Sequence, residues 1–144
     1  MLYLWLKYVH IISVIGWVSS TLSLGLYLLY RTLVLDSSEE QEDLRFFYRF
    51  LTYFEIGFFI AVLLSGLSMF YTAGYSLETT WLRVKILTAI LAFLPLELSN
   101  GILVFNYVKG KRWYHLYDLF VVSITPVLLI AGLMVIYMAV FKIV

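Results

Sequence analysis

The sequence contains no cysteine. That absence excludes disulfides, thiolate metal sites, thioether-attached haem and iron–sulfur clusters ligated by this chain. Charge is scarce as well: Asp, Glu, Lys and Arg make up 13% of the residues, about half the share of an ordinary soluble domain. The few charges nearly cancel to a net +1, which gives no basic surface for nucleic acid. Phosphate-cradling glycine motifs, a nucleophile elbow and an HExxH pair are missing too, and with them the common nucleotide-binding and hydrolytic chemistries. Proline occurs twice, as Pro95 and Pro126, both inside apolar stretches.

What the sequence has in abundance is hydrophobic residues, 63% of its 144. Four apolar runs, at 2–30, 46–72, 81–108 and 113–143, each exceed the roughly 20 helical residues that cross a ~30 Å hydrocarbon layer. The expected fold is therefore all-α, a four-helix up-and-down transmembrane bundle forming one integral membrane domain surrounded by the lipid bilayer. The N-terminal run lacks the basic leader and small-residue cleavage site of a signal peptide and reads as a retained first helix. Neither an inverted repeat nor paired broken helices can be made out, which argues against transport by a lone chain.

Lys and Arg set the expected orientation. Arg31, Arg45 and Arg49 flank the first connection and Lys109, Lys111 and Arg112 fill the third, whereas Lys7, Arg83, Lys85 and Lys142 lie at the other side. Connections one and three are then cytoplasmic and both termini outside, in a membrane read as the prokaryotic cytoplasmic membrane. Ser37 or Ser38, followed by acids, looks like a capping box for the second helix, and Thr80 an N-cap for the third. Tyr3, Trp5, Tyr8, Tyr71, Tyr75, Trp81, Trp113, Tyr114 and Tyr117 gather near helix ends as an interfacial belt. Ser13, Gly16, Ser19, Ser20 and Ser23 give the first helix a run of small residues suited to close helix packing. Met134 and Met138, four residues apart, read as packing residues.

Ionisable groups within hydrocarbon are costly and mark candidate functional sites. His10, Arg83 and Lys85 fall in the outer half, His10 about 10 Å along its helix and Lys85 about 6 Å along its own at 1.5 Å per residue. An imidazole and two cations at such depths suit a haem iron and its propionates, with Trp17, two turns after His10, walling the pocket. The structural alternative is a buried histidine bonded to a backbone or hydroxyl group, with Arg83 and Lys85 snorkelling outward. His115 begins the fourth helix at the opposite rim, so one chain cannot clamp one haem between its own two histidines. Glu55, Glu97, Asn100 and Asp118 lie nearer the middle or the cytoplasmic half and form a candidate proton path, since carboxylates in a low dielectric exchange protons. The alternative for them is structural pairing. Arg83 and Glu97, fourteen residues apart, are expected on one helix face, with Pro95 kinking the helix between Glu97 and the outer end.

Lys7-Tyr-Val-His10 followed by Gly16-Trp17, Leu44-Arg-Phe-Phe-Tyr-Arg49 opening the second helix and Trp81-Leu-Arg-Val-Lys85 opening the third make the chain resemble HemJ-type protoporphyrinogen oxidases and the related small CopD-type membrane proteins. The resemblance runs through the whole chain in order and spacing. It implies bound haem b, with the helix-one histidine, His10, and the helix-three lysine, Lys85, as functional residues. Two positions depart from the HemJ pattern: Arg83 stands where that family has a histidine, and its later helix-three histidine has no counterpart around Leu96 and Glu97. The leading expectation is a haem-b-binding membrane protein related to HemJ, with His10 as axial ligand and, from their depth and charge, Arg83 and Lys85 on the propionates. If it is an enzyme, it would oxidise a membrane-embedded donor such as a porphyrinogen and pass electrons to quinone or a neighbouring carrier, as a homo-oligomer or within a larger membrane complex. The other readings are a non-enzymatic accessory subunit or assembly factor, and a CopD-like metal-handling protein.

Overall fold

The four apolar runs become helix, as their length and composition require. The computed structural model describes the backbone of residues 1–33, 42–106 and 111–141, and the side chains of 1–30, 47–105 and 116–141. The cap at Ser37 or Ser38, the turn around Lys109 and the side chains of Trp113, Tyr114 and His115 lie outside them. α1 spans Leu2–Leu33, α2 Glu42–Ala73, α3 Thr80–Thr88, α4 Leu94–Asn106 and α5 Lys111–Phe141, and a five-residue π turn, Ala89–Phe93, joins α3 to α4. Counting α3 to α4 as one span, four helices are long and apolar enough to cross a membrane: Leu2–Tyr30, Phe47–Ala73, Thr80–Phe105 and Leu116–Phe141. There is no strand among the described residues. The protein is all-α and integral to a membrane, with lipid against its outward apolar surface.

The described residues divide into two compact units, Met1–Tyr75 and Ser76–Val144. The first is an α1–α2 hairpin. Its ring and hydrogen-bond contacts pair Tyr3 with Tyr75, His10 with Ser65, Trp17 with Phe59 and Tyr27 with Tyr48. Each residue of α1 thus faces an α2 residue roughly equidistant from the middle of the first connection, an antiparallel register. The buried face of α1 is His10, Ser13, Trp17, Ser20, Leu24 and Leu28, and that of α2 is Tyr48, Thr52, Glu55, Phe59 and Ser65. Steps of three or four residues keep the α1 set, and the α2 set from Tyr48 to Phe59, on one side of its helix.

The small residues of α1 serve close packing. A Cβ on Gly16 would lie 2.7 Å from the Phe58 ring, so the absence of a side chain there sets the helix separation. Ser13, Ser20 and Thr21 donate to the carbonyls of Val9, Gly16 and Trp17 four residues back. Such back-bonds satisfy hydroxyls that hydrocarbon would otherwise leave unmet. α2 ends in a Schellman turn: Gly74 has φ +65°, its N–H donates to Tyr71 O and that of Tyr75 to Phe70 O, capping carbonyls the helix leaves open.

The second unit packs α5 against α3 and α4. Here three expectations need correction. The N-cap of α3 is Thr79, one residue before Thr80, and it makes no side-chain cap bond; its carbonyl instead takes the Arg83 N–H at 3.0 Å. Tyr117 is fully buried, a packing residue rather than part of an interfacial belt. Arg83 is exposed and Glu97 buried, so they do not share a face. The π turn explains this, because one extra residue in a helical turn rotates the remainder of the helix by about 100°. Within it the Leu94 N–H reaches Ala89 O, five residues back. Pro95 comes directly after and has no N–H to give the preceding turn, so the wider turn stands where a proline would otherwise kink the helix. α5 runs through Pro126 without ending.

Candidate functional site

The first unit encloses a polar seam. His10 is 7% exposed and sits eight residues into its span, about 12 Å from the end at 1.5 Å per residue. Its Nδ1 lies 2.9 Å from Ser65 Oγ. Ser65 in turn donates to Ala61 O at 2.6 Å, with Val62 O at 3.2 Å. Gly66 adjoins the ring edge: a Cβ there would stand 3.1 Å from His10 Cε1. The imidazole is therefore fixed on one side by a hydroxyl and on another by bare backbone, while its own helix supplies the third wall. The sequence alternative of a histidine bonded to a hydroxyl describes the Nδ1 side of this ring.

Below His10 the seam closes on Trp17 and Phe59, whose rings lie 5.0 Å apart at 44°. Trp17 is buried on the same face as His10, as its spacing predicts. Beyond this pair the antiparallel register sets Glu55, 3% exposed, level with Ser20. Thr52, one turn further, is fully buried and donates to Tyr48 O at 2.9 Å. An imidazole site and a carboxylate site thus occupy one seam, with two aromatic rings between them.

In the second unit, Glu97 and Asn100 are buried three residues apart on α4, on the face that also carries Phe93 and Val104. Asn100 Oδ1 has no hydrogen-bond partner among the described residues. Asp118 is half-buried beside Tyr117 on α5, Lys85 is half-buried and Arg83 exposed at the start of the third span. Of the residues singled out in the sequence, His10, Trp17 and Glu55 belong to the first unit, and Arg83, Lys85, Glu97, Asn100 and Asp118 to the second.

Sequence reasoning missed Ser65, Gly66 and Phe59. A signal for them exists: folding the chain back about the middle of the first connection pairs His10 with Ser65 and Trp17 with Phe59.

Among the described residues no group of three or more His, Cys, Asp or Glu side chains could hold a metal ion. A haem macrocycle brings four nitrogens of its own and asks the protein for an axial ligand alone; among the described residues His10 is a buried imidazole of that chemistry.

No curated protein and no solved structure matches the chain. A family model described as a predicted integral membrane protein, DUF2269, matches residues 4–97, a stretch that takes in His10, Glu55, Ser65, Lys85 and Glu97. The match covers well over half of the sequence, and the chain belongs to the DUF2269 family of predicted integral membrane proteins.

Proposed function

We propose that the protein binds haem b within the membrane, with His10 as axial ligand, and acts as a HemJ-related oxidoreductase on a membrane-embedded donor. The observation that carries this reading is His10 itself, a buried imidazole held by a hydrogen bond in a span whose other buried polar side chains are serine hydroxyls. A histidine at that depth is costly unless it is used or satisfied, and an oriented ring is what axial ligation asks for. The spacing of Lys7, His10, Gly16 and Trp17, and of Arg83 and Lys85, supports the same assignment through the resemblance to HemJ-type and CopD-type proteins.

In this reading Trp17 would wall the haem pocket, and Arg83 and Lys85 would neutralise the propionates. Bound haem would supply one-electron chemistry, with electrons leaving to quinone or a neighbouring carrier. Glu55, Glu97, Asn100 and Asp118 would move the accompanying protons. The protein works as a homo-oligomer or in a larger complex. Termini face outward and connections one and three the cytoplasm.

The test is haem content by pyridine haemochromogen in the detergent-purified protein and in His10→Ala and His115→Ala, with helicity checked by circular dichroism. The expected result is haem in the parent and in His115→Ala but not in His10→Ala. Equal haem in all three would refute His10 as ligand, and colourless parent protein that co-purifies with another membrane protein would point to an accessory subunit instead.

A further inference from the structure

We infer that Ser65 is a positioning residue that fixes the tautomer of His10, so that the ring presents its Nε2 lone pair. The inference deepens the haem reading and rests on it only for the identity of what Nε2 meets; the tautomer itself follows from hydrogen-bond geometry. A serine hydroxyl has one proton and accepts through its oxygen. In Ser65 that proton is directed at the helix backbone, where Ala61 O lies at 2.6 Å and Val62 O at 3.2 Å. Two carbonyls can only accept, so the hydroxyl donates to them. Towards His10 the same oxygen must then accept, and the 2.9 Å contact with Nδ1 is an Nδ1–H···Oγ bond. In the neutral ring this is the single N–H, and Nε2 keeps its lone pair. Metal-binding histidines commonly donate their second nitrogen in this manner, which fixes ring orientation and raises ligand basicity.

Gly66 completes the device. Any side chain there would begin 3.1 Å from His10 Cε1, tighter than van der Waals contact, and would tilt the ring about its bond to Ser65. Serine and glycine in sequence thus perform two tasks on one imidazole: the first sets which nitrogen carries the proton, the second leaves the ring room to stand at the angle that bond requires.

The test is nitrogen NMR on protein labelled with 15N-histidine, in the His115→Gln background so that His10 is the single histidine. Nδ1 and Nε2 shifts distinguish the two neutral tautomers and the doubly protonated ring. The parent is expected to show Nδ1–H, Ser65→Thr to retain it, and Ser65→Ala to lose its dominance. A parent ring protonated on Nε2, or one unaltered by Ser65→Ala, would overturn the inference. In the haem-binding protein, Ser65→Ala should weaken haem affinity about 10- to 100-fold, the usual effect of removing such a supporting bond. Haem retained in full by His10→Ala would defeat the ligand assignment while leaving the tautomer result standing, so the two failures are distinguishable.

Discussion

His10 Nδ1 and Ser65 Oγ lie 2.9 Å apart across the α1–α2 seam although fifty-five residues separate them in sequence. This contact ties the candidate site to the hairpin register, because sliding α2 by one residue would replace the hydroxyl with Leu64 or Gly66. Substitutions that disturb the register should therefore disturb the site.

Gly16 offers the sharpest case. Gly16→Ala puts a Cβ 2.7 Å from the Phe58 ring and should destabilise the hairpin by about 1–3 kcal/mol, the range for overpacked cores. Gly57→Ala on α2 meets nothing within 4 Å and should be neutral or stabilising by about 0.5–1 kcal/mol, since alanine favours helix. Unfolding of both variants in mixed micelles by SDS checks the contrast. Equal stability of the two would show that helix separation is not set at Gly16.

Gly74 is held at φ +65°, a conformation that costs a residue bearing a Cβ roughly 1–2 kcal/mol. Gly74→Ala should lower stability by that amount, whereas Ala73→Gly should not reproduce the loss. The same SDS titration measures it.

Gly66→Ala should lower haem content or shift the haem spectrum without unfolding the protein, because its Cβ meets the edge of His10 at 3.1 Å rather than backbone. Gly66→Val should lower it further. Haem-to-protein ratio after size-exclusion chromatography is the readout, and full retention in both variants would remove Gly66 from the site.

Asn100 carries a buried carbonyl oxygen without a partner among the described residues, and such a group costs about 1–3 kcal/mol. Asn100→Leu should leave the fold at least as stable in SDS titration. A marked loss of stability would mean that the amide is structurally employed, and that its place in a proton path is not what keeps it there.

Much of this architecture was legible from composition. Hydrocarbon admits helices and closed barrels alone, so four long apolar runs could become little else, and His10 and Trp17 share a buried face because seven residues make about two turns. The shared face expected of Arg83 and Glu97 failed for a local reason: the π turn before Pro95 shifts the phase, and a periodicity of 3.6 cannot foresee an inserted residue. Thr80 gave way to Thr79 as cap because backbone bonding to Arg83, not the threonine hydroxyl, starts α3. Ser65 was hidden because serine is common in packed membrane helices and becomes informative only once a partner helix and register are known.

Orientation is open to a simple check, since the chain has no cysteine of its own. Ser76→Cys, in the exposed connection between the second and third spans, should react with a membrane-impermeant maleimide in intact cells. Lys109→Cys should react only after permeabilisation. The reverse pattern would place connections one and three outside.

The most direct test of the central claim is an optical spectrum of the detergent-purified protein, oxidised and then reduced with dithionite, from cells with ample haem. Haem at His10 predicts a Soret band that shifts on reduction. A featureless visible spectrum in both states would contradict it.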